Sequence, residues 1–264
     1  MAKASVMTLS NNDKPIGVER IKVKGAKYLV TFEDDSQILF TADQLVSYRI
    51  SLDKRFTEDE LDKIKKDASL DLWFNKALGY LSYKLRTEKE VRDYLKLKSD
   101  LEIEDQKKVF TKLKQTGLLN DYEYAVHYME DCKNKNRGVR YFKNHLATLG
   151  VASSIIEQVA LNFKETDLLD SLVTKYQKEE SHLTKYPLVI QKQKLQEKML
   201  RSGLSTSTIK LVLEKISYTE DYDETFLVDL SKIKQKTSDE YKQISLLLQN
   251  GYPYEYIRKR MNQK

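Results

Sequence analysis

Between Cys132 and Ile156 the chain carries Lys133, Lys135, Arg137, Arg140 and Lys143 and not one acid. Each of these cations could meet a phosphate, and Gly138 among them would let an anion approach the backbone closely. The competing reading is a helix end whose dipole is compensated by lysines, followed by a solvated face. A second basic segment holds Lys185, Lys192, Lys194, Lys198, Arg201 and Lys210 against Glu197 alone. Measured from their nearest glycines, the two sets fall at different offsets, so no continuous stripe is expected. Tyr141 and Phe142 sit among the first set. Phe142 falls on the apolar side of its helix, whereas Tyr141 points elsewhere and could stack on a base. The candidate anion- or DNA-binding residues are therefore Lys133, Lys135, Arg137, Arg140, Lys143, Lys192, Lys194, Lys198 and Arg201.

Catalysis finds no comparable support. There is no phosphate-binding G-x-x-x-x-G-K-[ST], no G-x-S-x-G and no H-E-x-x-H. Carboxylates are abundant but stand at helix starts and on mixed-charge faces, where capping and solvation account for them. His127, His145 and His182 are far apart, and no Cys/His spacing suits a metal. The single cysteine, Cys132, rules out an intrachain disulfide. It shares a helix face with Ala125, Tyr128 and Met129 and reads as a buried structural thiol. No catalytic residue, metal or cofactor is expected.

The elements that carry these residues are helices. Val139, Phe142, Leu146 and Leu149 share one face, and Gly150 supplies the left-handed residue that closes the helix. Ser154 and Glu157 have capping-box spacing for the next. This joint recurs at Gly203 and Gly251, at intervals of about 50 residues, with Ile156, Ile209 and Ile257 each standing six positions beyond a glycine. Such recurrence marks a helical repeat. Capping boxes are also expected at Thr57/Glu60 and Thr87/Glu90. Ahead of the helices lie three short β runs, Ile21 to Val23, Tyr28 to Phe32 and Gln37 to Phe40, and a short helix with Leu45 and Val46 turned inward.

The expected fold is mainly α: tandem three-helix repeats in an elongated array behind a small three-stranded β domain. The expected divisions are a flexible tail over 1–12, the β domain over 13–55, and helical units over 56–121, 122–164, 165–217 and 218–264. Only 40% of the 264 residues are hydrophobic and 33% are charged, which suits an array with much surface. The formal charge of +6 favours anionic partners. No signal peptide or membrane-length apolar run is present, so a soluble, cytoplasmic protein is expected.

Three motifs in order resemble one family. The run from Ala77 to Leu95, ALGYLSYKLRTEKEVRDYL, resembles the first repeat of the RecX family, roughly A-L-x-x-L-x-x-R-x-R-S-x-x-E-L-x-x-x-L. Gly117 to Ala125, GLLNDYEYA, is similar to its G-L-I-D-D-x-x-x-A junction. Arg137-Gly138, Arg140, Leu146 and Gly150-Val151 are similar to its K-G-x-x-x-I-x-x-x-L-x-x-K-G-I. The match is good from Leu70 to Phe163; beyond that only helical layout and glycine joints agree. Lys84, Thr87 and Asn120 replace the family's usual arginine, serine and aspartate but keep charge or hydrogen-bonding type. Thr148-Leu149 stand where a lysine is usual, which weakens anion binding at that point.

The resemblance implies a long-form regulator of the RecA recombinase. Such a protein binds the RecA–single-stranded DNA filament and modulates, mainly inhibits, its recombinase and coprotease activities, with consequences for recombination and the SOS response. The implied partners are the filament and single-stranded DNA, with double-stranded DNA left open, for a monomer without membrane contact. A general nucleic-acid-binding helical repeat, or a scaffold that binds only protein, are the alternatives.

Overall fold

The computed structural model describes residues 14–262; the tail expected over 1–12 lies outside them. Four antiparallel strands come first: β1 (Ile16–Lys24), β2 (Lys27–Phe32), β3 (Gln37–Phe40) and the two-residue β4 (Arg55–Phe56), in the order β3-β2-β1-β4. The sheet thus has one strand more than expected, because two residues are too short to show alternation. α1 (Ala42–Ser47) lies between β3 and β4, and Val46 on it is exposed rather than inward.

α2 (Glu58–Ser82) starts at the Thr57/Glu60 capping box and runs for 25 residues. Its first half sends Leu61, Ile64 and Ala68 into the core beneath Val30, Phe32 and Phe40 of the sheet. Its second half sends Trp73 and Ala77 into another core, shared with α3 (Glu88–Lys98) and α4 (Ile103–Gln115) through Val91, Leu95 and Leu113. α3 opens on the reciprocal Thr87/Glu90 box, as its sequence requires. Leu85 lies beyond the end of α2 and is exposed, not part of its apolar face. These elements form one compact unit ending at Asn120.

The second compact unit begins at Asp121. It contains α5 (Asp121–Asn134), α6 (Val139–Thr148), α7 (Ser153–Ala160), a 3₁₀ turn (Glu165–Leu168), α8 (Leu169–Glu180), α9 (Leu188–Arg201), α10 (Thr206–Lys215), α11 (Asp223–Lys236), α12 (Glu240–Gln249) and α13 (Tyr254–Asn262). The recurrent joints are real: Gly117, Gly150, Gly203 and Gly251 all take positive φ, between 72° and 89°. Ile156, Ile209 and Ile257 are all buried. Ser154 and Glu157 make no capping box. α7 starts two residues earlier than a Ser154 cap would place it, behind Ala152, and Glu157 turns to Lys143 instead.

One core runs continuously from α5 to α10, taking in Phe142, Leu146, Val159, Phe163, Leu172, Leu195, Met199, Leu204 and Val212. A smaller one, around Phe226, Leu247, Tyr252 and Ile257, holds α11 to α13. On those last helices Leu227, Tyr241 and Leu248 are exposed although their helical spacing would suit an apolar face.

Candidate nucleic-acid interface

The turn before α6 places the first basic segment. α5 ends at Asn134, Asn136 takes the left-handed conformation at φ 52°, and the Arg137 N–H donates back to the Cys132 carbonyl at 2.9 Å. Gly138 then caps α6 with no side chain to satisfy the orphan amides of its first turn. The rest of the unit does so for three amides at this end. Gly138 N–H donates to the Ser202 carbonyl at 2.8 Å and Arg140 N–H to the Gly203 carbonyl at 3.1 Å. Val139 N–H donates to Glu165 Oε1 at 2.8 Å. The buried Glu165 carboxylate also accepts from Ser205 N–H at 2.9 Å and Ser205 Oγ at 2.6 Å. The start of α6 is thereby seated on the joint between α9 and α10.

Two glycines make that seat possible. A Cβ on Gly138 would lie 2.2 Å from the Gly203 oxygen, and one on Gly203 would lie 2.3 Å from the Tyr141 nitrogen. The close approach at Gly138 is thus backbone to backbone. Its amide is already engaged, which removes it from the anion-binding role its position in the basic run suggested.

The cations divide into engaged and open ones. Lys133 pairs with Glu130 and Lys135 with Asp131, both at 2.8 Å, and Lys143 with Glu157 at 2.5 Å. The acid-free run is therefore partly neutralised by the acids at its two ends. Arg137 lies over the Tyr141 ring, 4.6 Å from its centroid. In the second segment Lys198 pairs with Glu179 at 2.5 Å, Lys192 sits over Tyr218 and Lys194 over Tyr186. Arg201 donates from Nε to the Glu197 carbonyl at a long 3.4 Å and lies 3.8 Å from that residue's carboxylate, with both side chains about 70% exposed. Arg140 is exposed and makes no ion pair among the described residues.

Although the two segments show no common offset in sequence, the α6–α9 contact brings one arginine from each together. Arg140 and Arg201 line a single cleft of about 270 Å³ with Tyr141, Asn144, His145 and Gly203. Lys192 belongs to a different cleft, with Thr206 and Lys210. Tyr141 does not stand free: Arg137 covers it and its plane lies within 4° of that of His145, which in turn stacks on Tyr128 at 4.6 Å. Lys175 was not among the candidates, yet it is electrostatically coupled to Arg137. Burial, with Arg137 adding to it, holds its ammonium below the usual range. Glu165, Asn144 and His145 were likewise not candidates; no residue pattern near Glu165 announces its role.

Burial pushes the Cys132 thiol up to about 11, as befits a structural cysteine. Among the described residues, no three His, Cys, Asp or Glu side chains gather in a way that could hold a metal ion, and no helix is long and apolar enough to cross a membrane.

Residues 74–104 match the family model for the first three-helix domain of RecX. Over 255 residues the chain is 30% identical to the "Regulatory protein RecX" of Streptococcus gordonii strain Challis, covering 91% of this chain and 96% of that protein. The chain belongs to the RecX family. A RecX protein of the same description from Staphylococcus aureus strain JH9 is 26% identical over 261 residues, with 93% and 94% of the two chains covered. Relatedness to RecX thus extends through the C-terminal helices, where the motifs alone showed only layout. Two solved structures share the RecX fold. A crystal structure of regulatory protein RecX superposes with a TM-score of 0.60 at 21% identity, over 76% of this chain and all of that one. RecX from Lactobacillus salivarius superposes with a TM-score of 0.52 at 26% identity, over 56% of this chain and 96% of that one.

Proposed function

We propose that this RecX-family chain regulates homologous recombination and the SOS response by binding the RecA–single-stranded DNA filament in the cytoplasm, mainly inhibiting its recombinase and coprotease activities. Near-full-length relatedness to proteins described as regulatory carries the reading. The basic residues support a nucleic-acid component. On this reading Lys133, Lys135, Arg137, Arg140, Lys143, Lys192, Lys194, Lys198 and Arg201 face the filament, with the engaged lysines exchanging a carboxylate for a phosphate. The proposed units at 122–164 and 165–217 act as one module, because a single core joins them.

Separate modules that engage separate filament subunits make each later contact intramolecular, and avidity then rises by about 10²–10⁴-fold. The last module, around Phe226 and Tyr252, can be removed without opening the large core. A stop after Lys164 would instead divide that core and remove Glu165. A stop after Asp221 retains the bonds from Thr219 N–H to Glu180, from Leu188 N–H to Glu220 and from Asp221 N–H to the Thr184 carbonyl. The test measures inhibition of RecA strand exchange, and affinity for filament and for bare single-stranded DNA, with full-length and 1–221 protein at one salt concentration. Inhibition by the full chain, and a greater loss on filament than on DNA after truncation, are expected. Absence of any effect on strand exchange overturns the regulatory reading. Equal losses on both ligands favour a general nucleic-acid binder.

A further inference from the structure

The cleft between α6 and the end of α9 has features that a solvated basic face lacks. Its two arginines are fixed from opposite sides of a rigid junction: the Arg140 amide is bonded to the Gly203 carbonyl, and Arg201 ends α9 two residues before that glycine. Four neighbouring cations, Lys133, Lys135, Lys143 and Lys198, are paired with carboxylates at 2.5–2.8 Å. Arg140 and Arg201 are the weakly engaged ones, and they face each other across a cleft lined by no acid among the described residues. Beside them stand the half-buried rings of Tyr141 and His145 in parallel planes, and the exposed Asn144 amide. The Gly138, Val139 and Arg140 amides are bonded within the protein and the Tyr141 nitrogen lies close against Gly203, so an anion here would be held mainly by side chains. Two guanidinium forks suit a phosphate, aromatic rings suit a base, and the volume is on the scale of one nucleotide.

We propose that this cleft is a nucleotide subsite for single-stranded DNA, in which Arg140 and Arg201 clamp one backbone phosphate and the adjoining base packs against Tyr141 and His145. The inference rests on the nucleic-acid component of the function proposed above and assigns it to one place. The phosphate half is independent of base identity. The base half requires an unpaired base, because a duplex keeps its bases stacked inside. Asn144 stands where it can reach the edge of the base.

The test uses the full-length protein and fluorescence anisotropy with labelled oligothymidine, an abasic strand of equal length, and unlabelled polyphosphate as competitor, each across a range of salt. Arg140→Ala/Arg201→Ala is expected to weaken oligothymidine and abasic binding alike, by about tenfold at low salt. It should lower the log–log salt slope by about 0.7, the share of one single-strand phosphate. His145→Ala should leave the slope unchanged and reduce the preference for oligothymidine over the abasic strand by about fivefold or more. Asn144→Asp, an exposed change that places a carboxylate in the cleft, serves as a second probe and should weaken both strands.

Wild-type affinity and slope in the arginine pair and in Asn144→Asp, with an unchanged melting curve, overturn the subsite. Equal wild-type affinity for the two strands overturns its base half, and polyphosphate displacing both strands equally well then marks a phosphate site alone. If strand exchange is still inhibited while these variants bind DNA normally, only the subsite falls and the filament reading stands.

Discussion

Replacing Gly203 with alanine isolates the contact on which the candidate interface is built. Gly203 holds φ at 77°, a left-handed conformation that costs an alanine about 1–2 kcal/mol. The new Cβ would also lie 2.3 Å from the Tyr141 nitrogen and 2.5 Å from its Cβ, so α6 must lift away. Lifting it breaks the Gly138 N–H to Ser202 and Arg140 N–H to Gly203 bonds, each worth about 0.5–1.5 kcal/mol. The expected destabilisation is therefore about 2–5 kcal/mol. Gly117→Ala is the control: its φ is 72°, but nothing lies within 4 Å of a Cβ there, so only the conformational cost of about 1–2 kcal/mol applies. Gly251→Ala should fall between them, because the atom it meets, Ile190 Cγ1 at 3.0 Å, belongs to a side chain that can turn aside. Urea unfolding followed by far-UV circular dichroism gives the three values. Hydrogen exchange at the Gly138 and Arg140 amides reports the contact directly, and both should lose protection in Gly203→Ala. Equal destabilisation by Gly203→Ala and Gly117→Ala, with those amides still protected, would refute the reasoning.

The Cys132 thiol, buried and raised to about 11, should resist an aromatic disulfide reagent at pH 8 in the native protein and react promptly in urea; prompt native labelling would contradict the burial. Burial pushes the Glu90 carboxyl up, but the Thr87 amide, Lys84 and Arg86 together hold it below the usual range. A depressed folded-state value adds stability above the unfolded value of about 4.3, and that stability is lost as pH falls through the folded value. Glu90→Gln should thus be less stable than wild type at pH 7, and the gap should narrow steadily as pH falls below the unfolded value; a gap that does not narrow in acid would mean that shape and not charge is responsible. Thr87→Ala removes the other half of the box and should cost about 1–2 kcal/mol by urea titration.

Features set by local stereochemistry could be read from the sequence. A glycine after an apolar face signals a left-handed joint because other residues pay to adopt it, and Gly150, Gly203 and Gly251 all do so. Thr57 and Thr87 cap as their spacing requires. Ser154 does not, because the helix already starts behind Ala152 and leaves Ser154 inside its first turn, with Glu157 paired to Lys143. Periodicity told that Phe142 and Leu146 share an apolar face but not that Leu195 and Met199 of a distant helix complete their core, since an apolar stripe does not name its partner. The candidate site was readable as residue types and not as a place. Arg140 and Arg201 meet only because Gly138 lies against Gly203. The acids that neutralise the lysines sit just outside the run that looked acid-free.

Because α2 inserts Leu61, Ile64 and Ala68 into one core and Trp73 and Ala77 into the next, its length is quantised. One extra residue between Ala68 and Trp73 would turn the second set by about 100° and advance it about 1.5 Å relative to the first, swinging Trp73 and Ala77 off their core. Only additions of three or four residues bring the faces back near alignment, and those lengthen the axis by about 5 Å. The turns between helices can absorb single insertions as slack. The five-residue interval from Ala68 to Trp73 has none, and variants of this chain that stay folded should change length in their turns and leave that stretch of α2 untouched.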